Sequence, residues 1–437
     1  MPRGGMLIQP AITGASHLNP LLQNFGSQDR QRPDKLRPRN SCYHRALQAT
    51  STTVRASTRP NWAEVSLSAL RHNFRLLQRH VGPSVTICAV VKCDAYGHGC
   101  EGCAGALEAE GACWLGVTST DEGVALREAG IGSRVLILVG AWRGEEEDAL
   151  RYGLTPTVHR IEDVEAVAAA ASRVGRREPV AVHLKLDTGM TRLGLSLSDL
   201  DSFAQRIKNI PRVELEGVFS HLASAEVLDS ADALRQQERF NQALRTLGGH
   251  GLSPPIRHLA NSSAILGRPE SWYNFVRPGM AIYGYELPLI HRDGKATEGC
   301  EPLGLRPALS WKTRVLSIRN VAAGQALGYN GTYVTKAPAR VAVIAAGYGD
   351  GLYRKLSPGG YALLRGQRAP FVGRISMDLT IVDVSRISGA EIGDEVVLIG
   401  RSGNERITAV DHARWSDTIP YEILCNLSER VVRHHLE

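Results

Sequence analysis

Nowhere in its 437 residues does the chain hold a run of about 18 apolar side chains, which excludes a helix able to cross a bilayer. It also lacks the continuous apolar segment that a secretory signal needs near the N-terminus. The third absence is an excess of charge in the folded part. The net charge is +7, but residues 1–60 hold nine Lys or Arg against two acids, and the other residues carry 42 basic and 42 acidic side chains. No basic face for nucleic acid follows, and neither nucleic acid nor membrane is expected as a partner.

Cysteine is present but unpatterned. The eight are scattered along a chain without secretory features, so reduced thiols are expected. Cys93, His98, Cys100 and Cys103 crowd together, yet a zinc site usually pairs two such knuckles and the second is missing. Small buried residues on a helix are the reading adopted, with no metal.

Residues 1–60 are rich in Ser, Thr, Pro, Gln and Arg and lack hydrophobic periodicity, which predicts a disordered extension. Their Arg-rich, acid-poor composition also suits an organelle transit peptide, and otherwise reads as a bland tail or an upstream misread start codon. The expected location is the cytoplasm, or an organelle if the transit reading holds.

From residue 85 short apolar runs alternate with amphipathic stretches. The runs fall at 85–92, 113–117, 134–140, 154–158, 180–188, 213–221, 256–261 and 274–284, and helix-like segments at 120–130, 161–175 and 231–249 lie between them. Near-continuous hydrophobic strands separated by helices predict a parallel sheet covered on both sides. Eight such units in about 200 residues predict an α/β fold with a closed, eight-stranded TIM-type barrel. A turn-rich linker is read at 286–304. Beyond it, short alternating runs with Gly and Asp turns predict a mainly antiparallel β domain. The expected division is an extension to residue 60, a barrel over 61–290 and a β domain over 291–437. "WAEVSL" reads as a strand that reaches the β domain, and "SLSALRHNFRLLQRH" as a helix with Leu67, Leu70, Phe74 and Leu77 on one face.

In a barrel of this kind, strand C-termini surround the site. Lys92, Lys185, His221 and Asn261 stand at or just past such ends. "AVVKCDAYGHG" (89–99) is the most informative stretch, because an apolar strand runs straight into a lysine. A lysine there would ordinarily snorkel to solvent. Asp94, Tyr96 and the Gly97-His98-Gly99 turn argue for a function instead.

Nine motifs in order, "VVKCDAYGHG", "LKLDTGMTRLG", "FSHLASAE", "HLANSSA", "VRPGMAIYG", "LGYNGTY", "AGYGDG", "VGRISMD" and "IPYEIL", resemble those of the alanine racemases over roughly residues 61–435. Cys93 stands where alanine is usual and Glu226 where aspartate is common. The resemblance implies racemisation of alanine on pyridoxal phosphate, supplying D-alanine for peptidoglycan. It makes Lys92 the cofactor lysine and the base for the D-side proton. It assigns Tyr96, Asn261, Ser262, Gly279, Met280 and Tyr421 to cofactor binding, mainly at the phosphate. Taken alone, Ser262 and Tyr421 would read as core or capping residues.

The same resemblance sets Arg277 at the pyridine nitrogen, where an arginine donates and leaves that nitrogen unprotonated. It places His221 against the ring, Arg192 by the phenolic oxygen and substrate, and Lys185 at a position carbamylated in many members. Racemisation needs a base on each face of a planar carbanion. That second base is implied to be Tyr329, supplied with Tyr348 and Met377 by the other subunit of a head-to-tail homodimer. A serine or broad-specificity racemase is the alternative. A decarboxylase on a related barrel needs no tyrosine such as that in "LGYNGTY", and a non-catalytic cofactor carrier has no β domain.

Overall fold

The computed structural model describes residues 59–286, 288–295 and 303–437, and the tail reading falls on residues outside these. Arg59 and Pro60 already take part in the fold: Arg59 pairs with the buried Asp350 at 2.7 Å, and the Pro60 carbonyl accepts from Thr313 Oγ1.

Eight parallel strands form a nearly closed barrel: Thr86–Val90, Trp114–Val117, Arg134–Ile137, Thr155–Val158, Val180–Asp187, Val213–Phe219, Ile256–His258 and Phe275–Val276. The last pairs with the first through Phe275 and Val276. It touches the seventh, and the Arg277 N–H donates to the Ala260 carbonyl just beyond both at 3.0 Å. The fold class read from the sequence is therefore observed.

All eight strands are shorter than their apolar runs, and at two of them the cause of the ending is local. The run 256–261 stops at His258 because Asn261 caps the helix Ser262–Gly267, its Oδ1 accepting from the Ala264 N–H. The run 274–284 stops at Val276, two residues before Pro278, which has no N–H to give a ladder. Residues 279–285 then coil back as successive buried turns.

The second sheet has nine strands and is mainly antiparallel. Its central strand is Leu309–Val321, flanked by Glu395–Ser402, Ala339–Ile344 and Asn61–Ser66. Asn61–Ser66 thus belongs to this sheet, antiparallel to Leu309–Val321 and parallel to Val432–Leu436. The chain crosses to the barrel through the helix Leu67–Val81. Ser66 caps that helix, and Ala69, Leu70, Phe74, Leu77 and Val81 face inward. Each buried Leu or Phe contributes about 1.5–3 kcal/mol.

One polar side chain joins these parts. Asn73 is fully buried on the inward face of that helix. Its Nδ2 donates to the carbonyls of Ile282 (2.9 Å) and Arg306 (2.8 Å), and its Oδ1 accepts from the Arg306 N–H (2.8 Å). Asn73→Ala leaves the buried Ile282 carbonyl and both backbone groups of the exposed Arg306 without this partner. It is expected to cost about 1–3 kcal/mol, seen as a lower thermal unfolding midpoint with the native circular dichroism spectrum kept.

Candidate active site

A cavity of about 420 Å³ opens at the C-terminal ends of the barrel strands. It is lined by Lys92, Tyr96, Lys185, Arg192, His221, Asn261, Ser262, Arg277, Gly279, Met280 and Tyr421 together with Cys93, Phe219, Cys425 and a few others. Every barrel residue singled out from the sequence is therefore in one place, joined by Tyr421 from the short helix Pro420–Cys425. Four of the lining residues are Lys or Arg and none is Asp or Glu. A larger opening of about 750 Å³ adjoins it at Thr118 and Val139, beside the exposed Trp142, and holds none of the predicted residues.

Tyr329, Tyr348 and Met377 do not line the cavity. They stand on the β domain with relative exposures of 67%, 46% and 53%. Their loops are neighbours, since the Tyr348 N–H donates to the Ser376 carbonyl and the Gly349 N–H to that of Met377. Asp350 anchors this corner: it is fully buried, accepts from the Gly347 N–H and pairs with Arg59 and Arg430.

Lys92 begins an unusual turn. Cys93, Asp94, Ala95 and Tyr96 all have φ near +50° to +55°, a left-handed helical turn that costs L-residues roughly 1–2 kcal/mol each. Outside contacts hold it. Glu122 accepts from the Cys93 N–H at 2.7 Å, the Asp94 carboxylate from the Cys100 N–H at 2.7 Å, and the Tyr96 carbonyl faces His98 Nδ1 at 2.9 Å. Lys92 itself makes no hydrogen bond or ion pair with the described residues. His98, read with the cysteines as a possible metal cluster, is fully buried with its ring against Tyr283.

Opposite Lys92 is a cradle of donors and small residues. Ser262 Oγ accepts from the N–H groups of Gly279 (2.9 Å) and Ala281 (3.3 Å). A Cβ on Gly279 would come within 2.3 Å of the Tyr96 hydroxyl, so glycine is what lets the backbone approach. Burial raises the phenols of Tyr96 and Tyr421, the latter to about 12, and both remain protonated donors near neutral pH.

The cations act on one another. Burial, then Arg277, Arg192 and Lys92, bring the Lys185 ammonium down to about 8. Burial and the same cations, Lys185 included, bring His221 to about 3, so its imidazole is neutral. Phe219 offers its ring to two of them, with Lys185 Nζ 5.5 Å and the Arg277 guanidinium 5.1 Å from its centre.

Arg277 sits at the head of a buried polar chain. Its guanidinium donates to the carbonyls of Ser220 and Leu259 and, at 2.7 Å, to His258 Nδ1. Because arginine can only donate, His258 carries its proton on Nε2 and gives it to His183 Nδ1 at 3.0 Å. His183 in turn directs Nε2–H to Glu216 at 3.3 Å, and Glu216 ends on Arg134. Burial keeps both histidines below their ordinary pKa. A Cβ at Gly217 would lie 2.5 Å from the His183 ring, so the chain passes through space that glycine leaves. The sequence reading missed this feature. Its one signal was His183, two residues before Lys185 and therefore on the same inward face of the strand.

An acid-free cavity on the functional face of an α/β barrel, closed by protonated phenols, defines an enzyme site built for an anion. Comparison with known proteins names the family. Residues 65–287 match the family described as alanine racemase, N-terminal domain, and residues 308–435 its C-terminal domain. Alanine racemases of Syntrophobacter fumaroxidans and Carboxydothermus hydrogenoformans are 40% and 42% identical, over 84% and 86% of this chain and 95% and 99% of theirs. The crystal structure of alanine racemase from the D-cycloserine producer Streptomyces lavendulae aligns with a TM-score of 0.80 at 33% identity, covering 87% of this chain and 98% of that one. That from Bacillus anthracis with bound L-Ala-P gives 0.78 at 33%, covering 87% and 95%. The chain belongs to the alanine racemase family, a family of pyridoxal-phosphate-dependent isomerases.

Glu216 gives a test of the buried chain. Burial alone would raise its carboxyl, but the bonds from His183 and Arg134 outweigh that and hold it at about 2, below the ordinary value of about 4.3. With the folded pKa depressed, the stabilisation is present above about pH 4.3 and is lost as pH falls toward 2. Glu216→Gln should remove that part of the acid dependence. After discounting for partial exposure this is about 1–2 kcal/mol, read from urea midpoints at pH 5 and pH 3.

Proposed function

We propose that the chain interconverts L-alanine and D-alanine with pyridoxal phosphate held in the barrel cavity. It works as a homodimer in the cytoplasm and supplies D-alanine for peptidoglycan. The observation that carries this reading is the meeting of four cationic residues and no carboxylate in the cavity. Such a field suits a phosphate and an amino-acid carboxylate together. The cradle of Tyr96, Ser262, Gly279, Met280 and Tyr421 fits a phosphate, with Asn261 beside it, and the buried Arg277, brought down only to about 10, would serve the ring nitrogen as a permanent donor.

Pyridoxal phosphate, when bound, supplies the electron-withdrawing ring that acidifies an amino acid's Cα proton. The residues do the rest. Lys92 holds the cofactor and moves the proton on the D side. Arg277 keeps its own proton and would leave the ring nitrogen unprotonated, which would favour return of the proton to Cα. His221, a neutral imidazole on the cavity wall, would pack against the ring. Arg192 meets the substrate. Lys185, at about 8, leaves part of its amine free near neutral pH to take up carbon dioxide, and the carbamate would give Arg192 an anionic partner.

The L-side base is Tyr329, delivered by a second subunit with Tyr348 and Met377 beside the substrate. Two exposed apolar surfaces support this: Val139 and Trp142 at the barrel mouth, and Tyr329, Tyr348, Met377 and Leu379 on the β domain. Each is half of a self-complementary contact between copies.

Lys92→Ala is expected to lower racemisation by about 10²–10⁴-fold or more and to abolish cofactor retention after borohydride reduction. Full turnover with the adduct on another lysine would remove Lys92 from the mechanism. For the shared site, inactive Lys92→Ala and Tyr329→Phe chains are co-expressed. Heterodimers contain one doubly defective and one intact site, so activity should return toward a ceiling of about one intact site in four for random pairing. A fully active monomer in sedimentation, or verified heterodimers without activity, would place Tyr329 outside the partner's site.

A further inference from the structure

Two thiols stand on the wall of the cavity that neither the mechanism nor the resemblance uses. Cys93 follows Lys92 in the left-handed turn and is exposed. Cys425 ends the helix Pro420–Cys425, four residues after Tyr421, and is half-buried. Both line the cavity, and after burial the largest influence on the Cys425 thiol is the neighbouring Cys93. The turn and the helix pack directly, with the rings of Tyr96 and Tyr421 6.0 Å apart. The other described cysteines are placed differently. Cys88 and Cys103 are buried, Cys100 Sγ donates to the Val91 carbonyl, and Cys113 lies outside the cavity lining.

We propose that Cys93 and Cys425 form an oxidisable dithiol, a modification site whose disulfide misplaces Lys92 relative to the cofactor cradle. The oxidant is hydrogen peroxide. The Cys93 thiolate attacks one peroxide oxygen, the O–O bond breaks, and the departing hydroxide takes a proton as water. Cys93 is then a sulfenic acid. The Cys425 sulfur attacks the Cys93 sulfur, the S–S bond forms and the S–O bond breaks, and hydroxide leaves with the Cys425 proton as a second water. Two thiols lose two electrons and one peroxide becomes two waters. A small dithiol reverses the bond by exchange.

The order of events follows from position. Cys93 is open to solvent, so the peroxide meets it first. Burial and the neighbouring Cys93 push the Cys425 thiol up, while Lys92 pulls it down; conversion of Cys93 to a neutral sulfenic acid removes one of the two upward effects.

The consequence is geometric. Two unbonded sulfurs must close to about 2.05 Å to bond, and from van der Waals contact that is a movement of more than an ångström. The turn carrying Lys92 or the helix carrying Tyr421 must absorb it. The turn is already strained by four left-handed residues, so it has little freedom left. Displacement of a reacting group by about 1 Å costs on the order of 10²-fold.

The effect on turnover rests on the proposed function, whereas the bond itself does not. Purified holoenzyme is treated with hydrogen peroxide, remaining thiols are alkylated, and peptides are mapped without reduction. Cys93→Ala, Cys425→Ser and Cys113→Ser are treated in parallel, each compared with its own reduced form. The expected result is a peptide linking Cys93 to Cys425 and a loss of racemisation of about 10²-fold, regained with dithiothreitol. The Cys113 variant should respond as the parent does, and the other two should not. Peroxide that leaves Cys93 unlinked, a linked enzyme at full activity, or equal loss in Cys93→Ala would overturn the proposal. Reduced parent enzyme that turns over no alanine would sink the catalytic reading instead, with the linkage and the visible absorbance of bound pyridoxal phosphate still reporting on the dithiol.

Discussion

The arrangement depends on keeping a guanidinium charged at the centre of a barrel with no carboxylate touching it. Arg277 is fully surrounded, and a buried cation without compensation is one of the most expensive things a protein can contain. The barrel meets this with two backbone carbonyls and a row of two neutral histidines, with the acid, Glu216, at the other end of the row. Each imidazole is fixed in one tautomer by the donor before it. A carboxylate in direct contact with Arg277 would cancel its charge; the relay of imidazoles orients it and leaves its field facing the cavity.

The strained turn after Lys92 is the second constraint, and it works with the first. A regular right-handed helix starting at Lys92 would carry Tyr96 in a different direction. The left-handed turn instead aims Tyr96 at Gly279, beside Ser262 and Tyr421, and its cost is offset by Glu122, Asp94 and the tight packing around Ala95 and His98. Strain of this kind persists only where neighbours over-determine it. Here the neighbours come from the barrel and from the C-terminal helix alike.

Much of this was legible beforehand, for definite reasons. The barrel could be read because apolar runs of the right length alternate with amphipathic helices, a pattern local in sequence. Lys92, Lys185, His221 and Asn261 stood out because strand ends are where a barrel brings polar residues together. Every apolar run overshot its strand, and the reason is plain at 256–261 and 274–284. Apolar character continues past the point where a cap at Asn261 and Pro278 stop the ladder, since burial and strand geometry are separate requirements. The left-handed turn had no signal, because Cys, Asp, Ala and Tyr carry no preference for positive φ.

The sequence by itself determined the eight-fold alternation, the chemistry of the polar strand ends and the neutrality of the folded part, because these reside in residue type and short-range spacing. Only the tertiary structure decided that four cations share one cavity with no acid, that Arg277 reaches Glu216 through two imidazoles, and that Cys93 and Cys425 share the cavity wall. It also decided that Tyr329, Tyr348 and Met377 face outward, away from the cavity of their own chain. Those facts depend on which residues distant in sequence come within a few ångströms of each other. Coulomb and hydrogen-bond energies are set by that separation in space and by the water excluded between the groups, and neither quantity is written in the order of the residues.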